Sequence, residues 1–366
     1  MLLLIFLFVF FCETQTTECL AQQNVKRIIN GQVKDTETSE PVGSVNVFLS
    51  NTTIGTSTDS TGIFMIPDVP SGVFDLVISR VGYEREIKLV DMVSSESLYY
   101  DIKLIPKIIQ TTEFEITVDQ PTEWKKNLNR FIKVFIGGSE FADECKIHNP
   151  EVINFRFFND TLIAQTDSIL HIDNMSLGYR LHIILNEFIW NTDRDYGHYL
   201  IYPFFAPLNT RDTKEKTEWE ENRQKAYKGS LKHFLHALVH RNTEENMFRI
   251  FAGTLDKLMS GYGHRVNPED FEIEQIEGTP LFSLKFNGFL RVEYGKIIDN
   301  EIERGGNYHG VPIWGVRKID FSSTSIITMR SSCSYIDSLG NLFDPLSIEV
   351  SGMWANKRVA ELVPMY

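Results

Sequence analysis

Long apolar runs are scarce in this 366-residue sequence: Leu2 to Phe11 is an unbroken one, and it is too short to span a bilayer. Cysteine is scarce too, with four in the chain, and Cys12 and Cys19 both fall near the amino terminus. Beyond them only Cys145 and Cys333 remain, which could pair in an oxidising compartment but cannot make a disulfide framework. Basic clusters are missing. With 36 Lys and Arg against 49 Asp and Glu the formal net charge is −13, which argues against nucleic acid and anionic membrane surfaces as partners. The cations between Arg211 and Arg223 alternate with Glu and Asp, as on a solvated face. There is no long internal repeat, no low-complexity linker and no Gly-x-Ser-x-Gly nucleophile elbow.

What is present suits a globular chain. A composition of 42% hydrophobic and 23% charged residues excludes wholesale disorder, and the length allows two domains with separate cores. The Leu2–Phe11 run is followed by a polar stretch ending in Cys19-Leu20-Ala21-Gln22. Residues 1–21 therefore read as a secretory signal cleaved after Ala21. Neither Cys12 nor Cys19 follows a Leu-Ala-Gly-like box, which argues against a lipid anchor.

From Arg27 to Leu104 short alternating runs are closed by Gly, Pro, Asp or Ser, the pattern of half-buried antiparallel strands. Strands are expected at Arg27 to Val33, Val45 to Leu49, Phe64 to Ile66, Val73 to Arg80, Gly82 to Val90 and Tyr99 to Leu104. Val45, Val47, Phe64, Leu76 and Ile78 should face the core. Thr58-Asp59-Ser60-Thr61-Gly62 has the Asp and Gly of a tight hairpin. Glu113 to Val118 reads as a further strand in a linker over residues 107–121.

Thr122 to Phe135 reads as an amphipathic helix, capped by Thr122, striped by Trp124, Leu128, Phe131, Ile132 and Phe135, and ended by Gly137-Gly138. Strands return at Ile153 to Phe158, Thr161 to Gln165 and Leu177 to Trp190, and later at Leu281 to Phe286, Phe289 to Tyr294 and Ser325 to Met329. Trp219 to His240 is the longest helical pattern, with Tyr227, Leu231, Phe234, Leu235 and Leu238 on one stripe.

Gly31-Gln-Val33-Lys-Asp35, Glu40-Pro-Val42-Gly-Ser-Val45, Asp59-Ser-Thr-Gly62-Ile-Phe64 and Val81-Gly82-Tyr83 together resemble the carboxypeptidase regulatory-like domain, a transthyretin-like β-sandwich. Cys145-Lys-Ile-His-Asn149-Pro150-Glu151, Leu177-Gly178-Tyr179, Arg223 with Tyr227-Lys-Gly229-Ser230 and His233, and the tail from Trp354 to Tyr366 extend the likeness. The whole resembles exported bacterial proteins called carboxypeptidase-like regulatory domain-containing proteins. The resemblance implies a mainly β, α+β protein of a Gram-negative envelope, periplasmic or associated with the outer membrane. Residues 22–106 would form a seven-stranded sandwich, and residues 122–366 a strand-rich α+β domain. It implies no activity. A TonB-dependent transporter is excluded, because too little chain follows the sandwich for a 22-stranded barrel. A small barrel over residues 150–366 is disfavoured by the charged helix from Trp219 to His240.

Candidate chemistry is sparse. His148-Asn-Pro-Glu151 with His264 has the form of a zinc-carboxypeptidase ligand set, although in those enzymes the sandwich follows the catalytic domain instead of leading it. Arg223, Tyr227, Ser230 and His233 are the candidate ligand-binding residues. Gly229 among them implies a close approach to the backbone, through core packing or a polar pocket. His233, His236 and His240 fall within one narrow arc of the long helical pattern, and His236 and His240, at i and i+4, could share a metal, but at 100° per residue that arc lies almost opposite the apolar stripe, where solvated side chains are expected. Trp190, Tyr196, Tyr199, Tyr202, Phe204 and Phe205, broken by Pro203 and Pro207, read as an aromatic loop region able to stack on sugars or a partner. The reading is an exported, non-catalytic protein without cofactor, whose partner is an envelope protein or glycan. The competing reading is a periplasmic hydrolase, metal-dependent or glycan-acting, with its site in the second domain.

Overall fold

A computed structural model describes residues 26–107, 120–166, 168–295 and 322–365, with the short strand pair at 307–308 and 311–312. The fold is mainly β with five α-helices among the described residues. The expected signal segment at residues 1–21 and the expected strand at Glu113 to Val118 lie outside them.

Seven strands form the sandwich: β1 (Arg27–Asp35), β2 (Asn46–Leu49), β3 (Gly55–Ser57), β4 (Ile63–Val69), β5 (Val73–Ser79), β6 (Glu86–Asp91) and β7 (Ser97–Leu104). They divide into a three-stranded sheet, β4-β1-β7, and a four-stranded sheet, β3-β2-β5-β6. The alternation expected from sequence supplies the core: Val45, Val47, Leu76 and Ile78 are fully buried and Phe64 is 2% exposed. The Asp59 turn needs one correction. Asp59 Oδ1 accepts from the Thr61 and Ile63 N–H groups, and Gly62 takes φ +72°, as the motif requires. Yet β3 and β4 belong to opposite sheets. The turn carries the chain across the core and does not close a hairpin.

Helix α1 (Gln120–Phe135) starts before Thr122, so Thr122 lies within it and is not its cap. Phe131 and Phe135 are fully buried and pack on the next sheet, with Leu128 and Ile132 partly buried beside them. That sheet contains β8 (Cys145–Ile147), β9 (Ile153–Phe158), β10 (Thr161–Thr166), β11 (Leu170–Asn174), β12 (Tyr179–Asn191) and β13 (Tyr196–Pro207). Strand β12 is its spine: β13 runs along one side, while β11 and β10 share the other. The aromatic region expected as a loop is therefore strand β13. Its backbone is held by β12, Tyr199 and Phe205 turn toward α1, and Tyr202 and Phe204 turn toward the sandwich.

The sequence pattern from Trp219 to His240 is two helices. Helix α2 (Thr213–Tyr227) stops at Lys228, and Gly229 adopts φ +72°, a left-handed position that glycine tolerates. Ser230 then caps α3 (Leu231–Val239) by accepting from the His233 N–H at 3.1 Å. The break resets the helical phase. His233, expected among solvated histidines, is 7% exposed, and Tyr227 and Leu231 are only half-buried, whereas Phe234, Leu235 and Leu238 are buried as expected.

Helix α3 covers a five-stranded sheet, β15-β14-β18-β21-β23, formed by β14 (Phe248–Gly253), β15 (His264–Val266), β18 (Phe289–Tyr294), β21 (Thr324–Met329) and β23 (Ile348–Gly352). Between β14 and β15 lies α4 (Leu255–Met259); β16 (Glu272–Gln275) and β17 (Leu281–Lys285) pair with β22 (Ser334–Asp337) in a small sheet. The pair β19 (Asn307–Tyr308) and β20 (Val311–Pro312) follows β18, and α5 (Met353–Asn356) follows β23. Cys145 and Cys333 are both free thiols, so the pairing that the sequence allowed is not made. Cys145 lies in β8, and Cys333 directly precedes β22 in the small sheet.

Candidate functional site

The four candidate ligand residues around Gly229 are each engaged by protein groups. Arg223 donates from Nε to the Leu177 carbonyl at 2.8 Å and from Nη2 to Gly178, with its guanidinium 4.1 Å from the Tyr179 ring centre. Trp219 Nε1 donates to the Met175 carbonyl nearby, so α2 grips the segment 175–178. Ser230 serves as the α3 cap. His233 Nδ1 accepts from the Gly229 N–H at 3.0 Å and Nε2 donates to Asn246 Oδ1 at 3.1 Å, which fixes a neutral tautomer; burial lowers its pKa in agreement. Tyr227 lies tilted against the His233 ring, with centres 4.9 Å apart. The close approach inferred at Gly229 is the Tyr294 ring, and the Gly229 carbonyl accepts from Trp354 Nε1 at 2.7 Å. Helix, break and sheet thus meet here by core packing.

His236 and His240 do lie together, with ring centres 4.5 Å apart, but the expectation of two exposed rings holds only for His240. The backbone at Gly340 lies against the turn of α3 that carries Lys232 and His236, which leaves His236 half-buried. His240 Nε2 donates to the Ser338 carbonyl at 2.9 Å. His148 pairs with Asp173 rather than with Glu151, and His264 lies in β15 of a different sheet. Among the described residues no three His, Cys, Asp or Glu side chains are arranged to hold a metal ion.

A seam offers the other arrangement. The outer face of β2, β5 and β6 packs on the six-stranded sheet through Phe48, Val77 and Ile87 against Ile169, Ile184, Tyr202 and Phe204. Backbone bonds reinforce it: the Asn51 N–H donates to Pro203 at 2.7 Å and the Phe205 N–H donates to Thr52 at 2.9 Å. Pro203 occupies the free edge of β13, where an absent N–H breaks no ladder bond. Arg85 crosses the seam, donating to the Leu185 and Thr166 carbonyls. Beside these contacts opens a cleft of about 290 Å³ lined by Asn46, Ser79, Arg80, Tyr83, Thr166 and Ser168 among others.

Next to the apolar seam the same sheet face turns polar. Arg180 donates from Nε to Asp173 Oδ1 at 2.6 Å and from Nη2 to Oδ2 at 2.9 Å, and His148 Nε2 meets Oδ2 at 2.7 Å. The Arg180 hydrogen bond is the main reason the Asp173 pKa falls to about 2. Neither cleft nor polar face was singled out from sequence, because the cleft joins segments far apart in the chain and the polar face depends on the pairing register of its strands. The period-2 spacing of His171 with Asp173 and of Arg180 with His182 was the available signal.

Residues 29–116 match the family model described as the CarboxypepD_reg-like domain, and they form the sandwich to the extent that they are described. No curated protein matches the chain. Among solved structures, a type II cohesin–X-dockerin complex from Acetivibrio cellulolyticus aligns at 22% identity and TM-score 0.18, over 22% of this chain and 56% of that one. A candidate carbohydrate-binding protein from Bacteroides uniformis aligns at 14% identity and TM-score 0.19, over 51% of this chain and 75% of that one. A candidate membrane-associated protein of unknown function from Bacteroides fragilis aligns at 10% identity and TM-score 0.18, over 51% and 84%. At these TM-scores none of the three carries an argument about this chain.

Proposed function

With residues 29–116 matching the CarboxypepD_reg-like domain, we propose that the chain is an exported, non-catalytic binding protein of a Gram-negative envelope. The sandwich is its interaction module, and residues 122–366 form a domain that holds a protein or glycan partner against it. The cleft at the seam carries this reading. It is lined by hydrogen-bonding side chains from both sides, Asn46, Ser79 and Arg80 from the sandwich and Thr166 and Ser168 from the sheet. Ligand sites favour such junctions between folded units. The Arg223, Tyr227, Ser230 and His233 cluster supports it less, since Arg223, Ser230 and His233 are hydrogen-bonded within the fold.

Titrating the intact protein with envelope glycans and peptides while following cleft amides by NMR tests the site. Saturable shifts at Ser79 and Ser168 that vanish when Ser79→Trp fills the cleft are expected. Saturable binding unaffected by that change moves the site elsewhere. Turnover in a peptidase and glycosidase panel would establish the hydrolase reading in its place. Export is tested by N-terminal sequencing of envelope-fraction protein, where Gln22 is the expected first residue.

A further inference from the structure

Strand register builds one wall of the seam cleft. Asn46 and Ser79 are direct partners across β2 and β5, and alternation puts both on the face that carries Phe48 and Val77 into the seam. The opposite wall comes from the six-stranded sheet, with Thr166 at the end of β10, Ser168 just beyond it and Ile184 on β12. Arg85 ties the two walls together through its bonds to the Leu185 and Thr166 carbonyls. The walls are thus held in place before anything binds, and a ligand entering between them orders little of the protein.

Two polar groups here lack the partners that the fold gives elsewhere. Thr166, 3% exposed, holds its Oγ1 at the cleft wall without a hydrogen-bond partner, and buried polar atoms are rarely left so. Arg80 is half-buried, its guanidinium 5.6 Å from the centre of the Tyr83 ring, and it enters no ion pair among the described residues. That ring is itself fixed, since Tyr83 Oη donates to Asp35 Oδ2 at 3.0 Å. Arg80 is therefore a positioned cation whose donor fork is still to be filled. The chain as a whole carries a net charge of −13. Yet of the described charged residues lining the cleft, Arg80, Arg85 and Lys107 are cations and Glu84 alone is an acid.

Resting on the seam reading above, we propose that the cleft binds a uronic-acid residue of an acidic glycan, with Arg80 taking its carboxylate. A guanidinium meets a carboxylate through two parallel N–H···O bonds, which a neutral sugar cannot accept. The Asn46 amide and the Ser79 and Ser168 hydroxyls both donate and accept, as the hydroxyls of a sugar ring do. A ring hydroxyl also supplies the partner that Thr166 Oγ1 lacks. Ile169 and Ile184 give the C–H face of the ring an apolar wall. At about 290 Å³ the cleft lies at the small end for ligand pockets, so it seats a short piece of glycan and leaves the rest of the chain outside. A peptide end would meet the same arginine. Its backbone N–H groups call for carbonyl acceptors, however, and those of Leu185 and Thr166 are already taken by Arg85.

The test uses the full chain and a matched pair of probes, methyl glucuronide and methyl glucoside, which differ only in a carboxylate that replaces a hydroxymethyl group. Shifts of the Ser79 and Ser168 amides give the two dissociation constants. The glucuronide is expected to bind at least about tenfold more tightly, or 1.4 kcal/mol, with the margin narrowing as salt is added. Arg80→Gln should erase the margin and leave the glucoside affinity as it was, whereas Arg80→Lys should keep part of it. Arg265→Gln, the same change of charge on another sheet, should keep all of it. Equal binding of the two sugars overturns the proposal and leaves the seam site standing, and so does a margin that survives Arg80→Gln. Absence of saturable shifts with both sugars also overturns it, and a peptide that then binds only with a free carboxyl end puts a peptide in place of the glycan. Sugar binding that persists in Ser79→Trp removes the seam reading, and this inference with it.

Discussion

The backbone N–H of Met365 donates to the carbonyl of Asn51 at 2.8 Å, so the far end of the described chain is tied to the sandwich turn between β2 and β3. Asn51 therefore joins two segments at once, since its own N–H donates to Pro203. Just upstream, Val359 and Ala360 are fully buried beneath α1, and Asn174 Nδ2 donates to the Ala360 carbonyl at 2.9 Å. The tail thus belts the sandwich to the six-stranded sheet. Deleting residues 363–366 should leave both cores folded and accelerate hydrogen exchange at the Asn51 and Phe205 amides. Unchanged exchange there would mean that the tail contributes nothing to the seam.

Glycine at the helix break can be tested against a glycine in open space. Gly229 and Gly82 both have positive φ, +72° and +87°. A Cβ at Gly229 would lie 2.6 Å from the Tyr294 ring, whereas nothing lies within 4 Å of one at Gly82. Gly82→Ala should therefore cost only the left-handed strain, about 1–2 kcal/mol, and Gly229→Ala distinctly more. Denaturant melts of the two variants compare them directly, and equal losses would contradict the packing described here.

Lys232 gives a pH signature. Burial lowers its pKa to about 8, against an ordinary value near 10.5, with Asp337 partly opposing the shift. The folded state binds this proton less readily than the unfolded chain does. Stability should accordingly fall as pH drops from about 10.5 to 8, and the penalty should persist below that window. Lys232→Met should stabilise the protein at pH 7 by up to about 3 kcal/mol and flatten the alkaline limb. Urea melts at pH 7 and pH 10 measure both effects.

The two thiols should differ in reactivity. Burial is the main cause that pushes the Cys145 thiol up to about 12, with Glu144 adding to it, so almost no thiolate is available at pH 8. Cys333 is half-exposed beside Tyr335. Brief alkylation of the folded protein followed by peptide mass spectrometry should find the label on Cys333 and not on Cys145. Comparable labelling of both would show that β8 opens readily.

The sandwich was legible because its information is local: a period of two, turn residues at fixed offsets and one buried face. Val45, Val47, Phe64, Leu76 and Ile78 could be read from spacing alone. The Asp59 turn was legible as a turn but not as a sheet crossing, since Asp59 and Gly62 satisfy the same local bonds either way. Helical periodicity ran on through Gly229 because Tyr227 and Leu231, on opposite sides of the break, still fit a 3.6-residue stripe. What keeps a side chain off the break at Gly229 is the Tyr294 ring, more than sixty residues downstream. The seam and the polar face were not legible, because strand register sets Asp173 opposite both Arg180 and Lys146 and periodicity cannot supply the register.

Strand β13 is covered along part of its open edge by the residues at Asn51 and Thr52. Synthesis runs from the amino end, so that cover is made long before the strand it protects. A nascent chain whose sandwich has already folded presents a finished turn to Phe204 and Phe205 as they emerge, and domains generally do fold as units in that order. The same edge in a chain with a damaged sandwich would stay unpaired, open to strands of other molecules. Lesions in the first hundred residues should then appear as aggregation through the six-stranded sheet, at a distance from the damage itself.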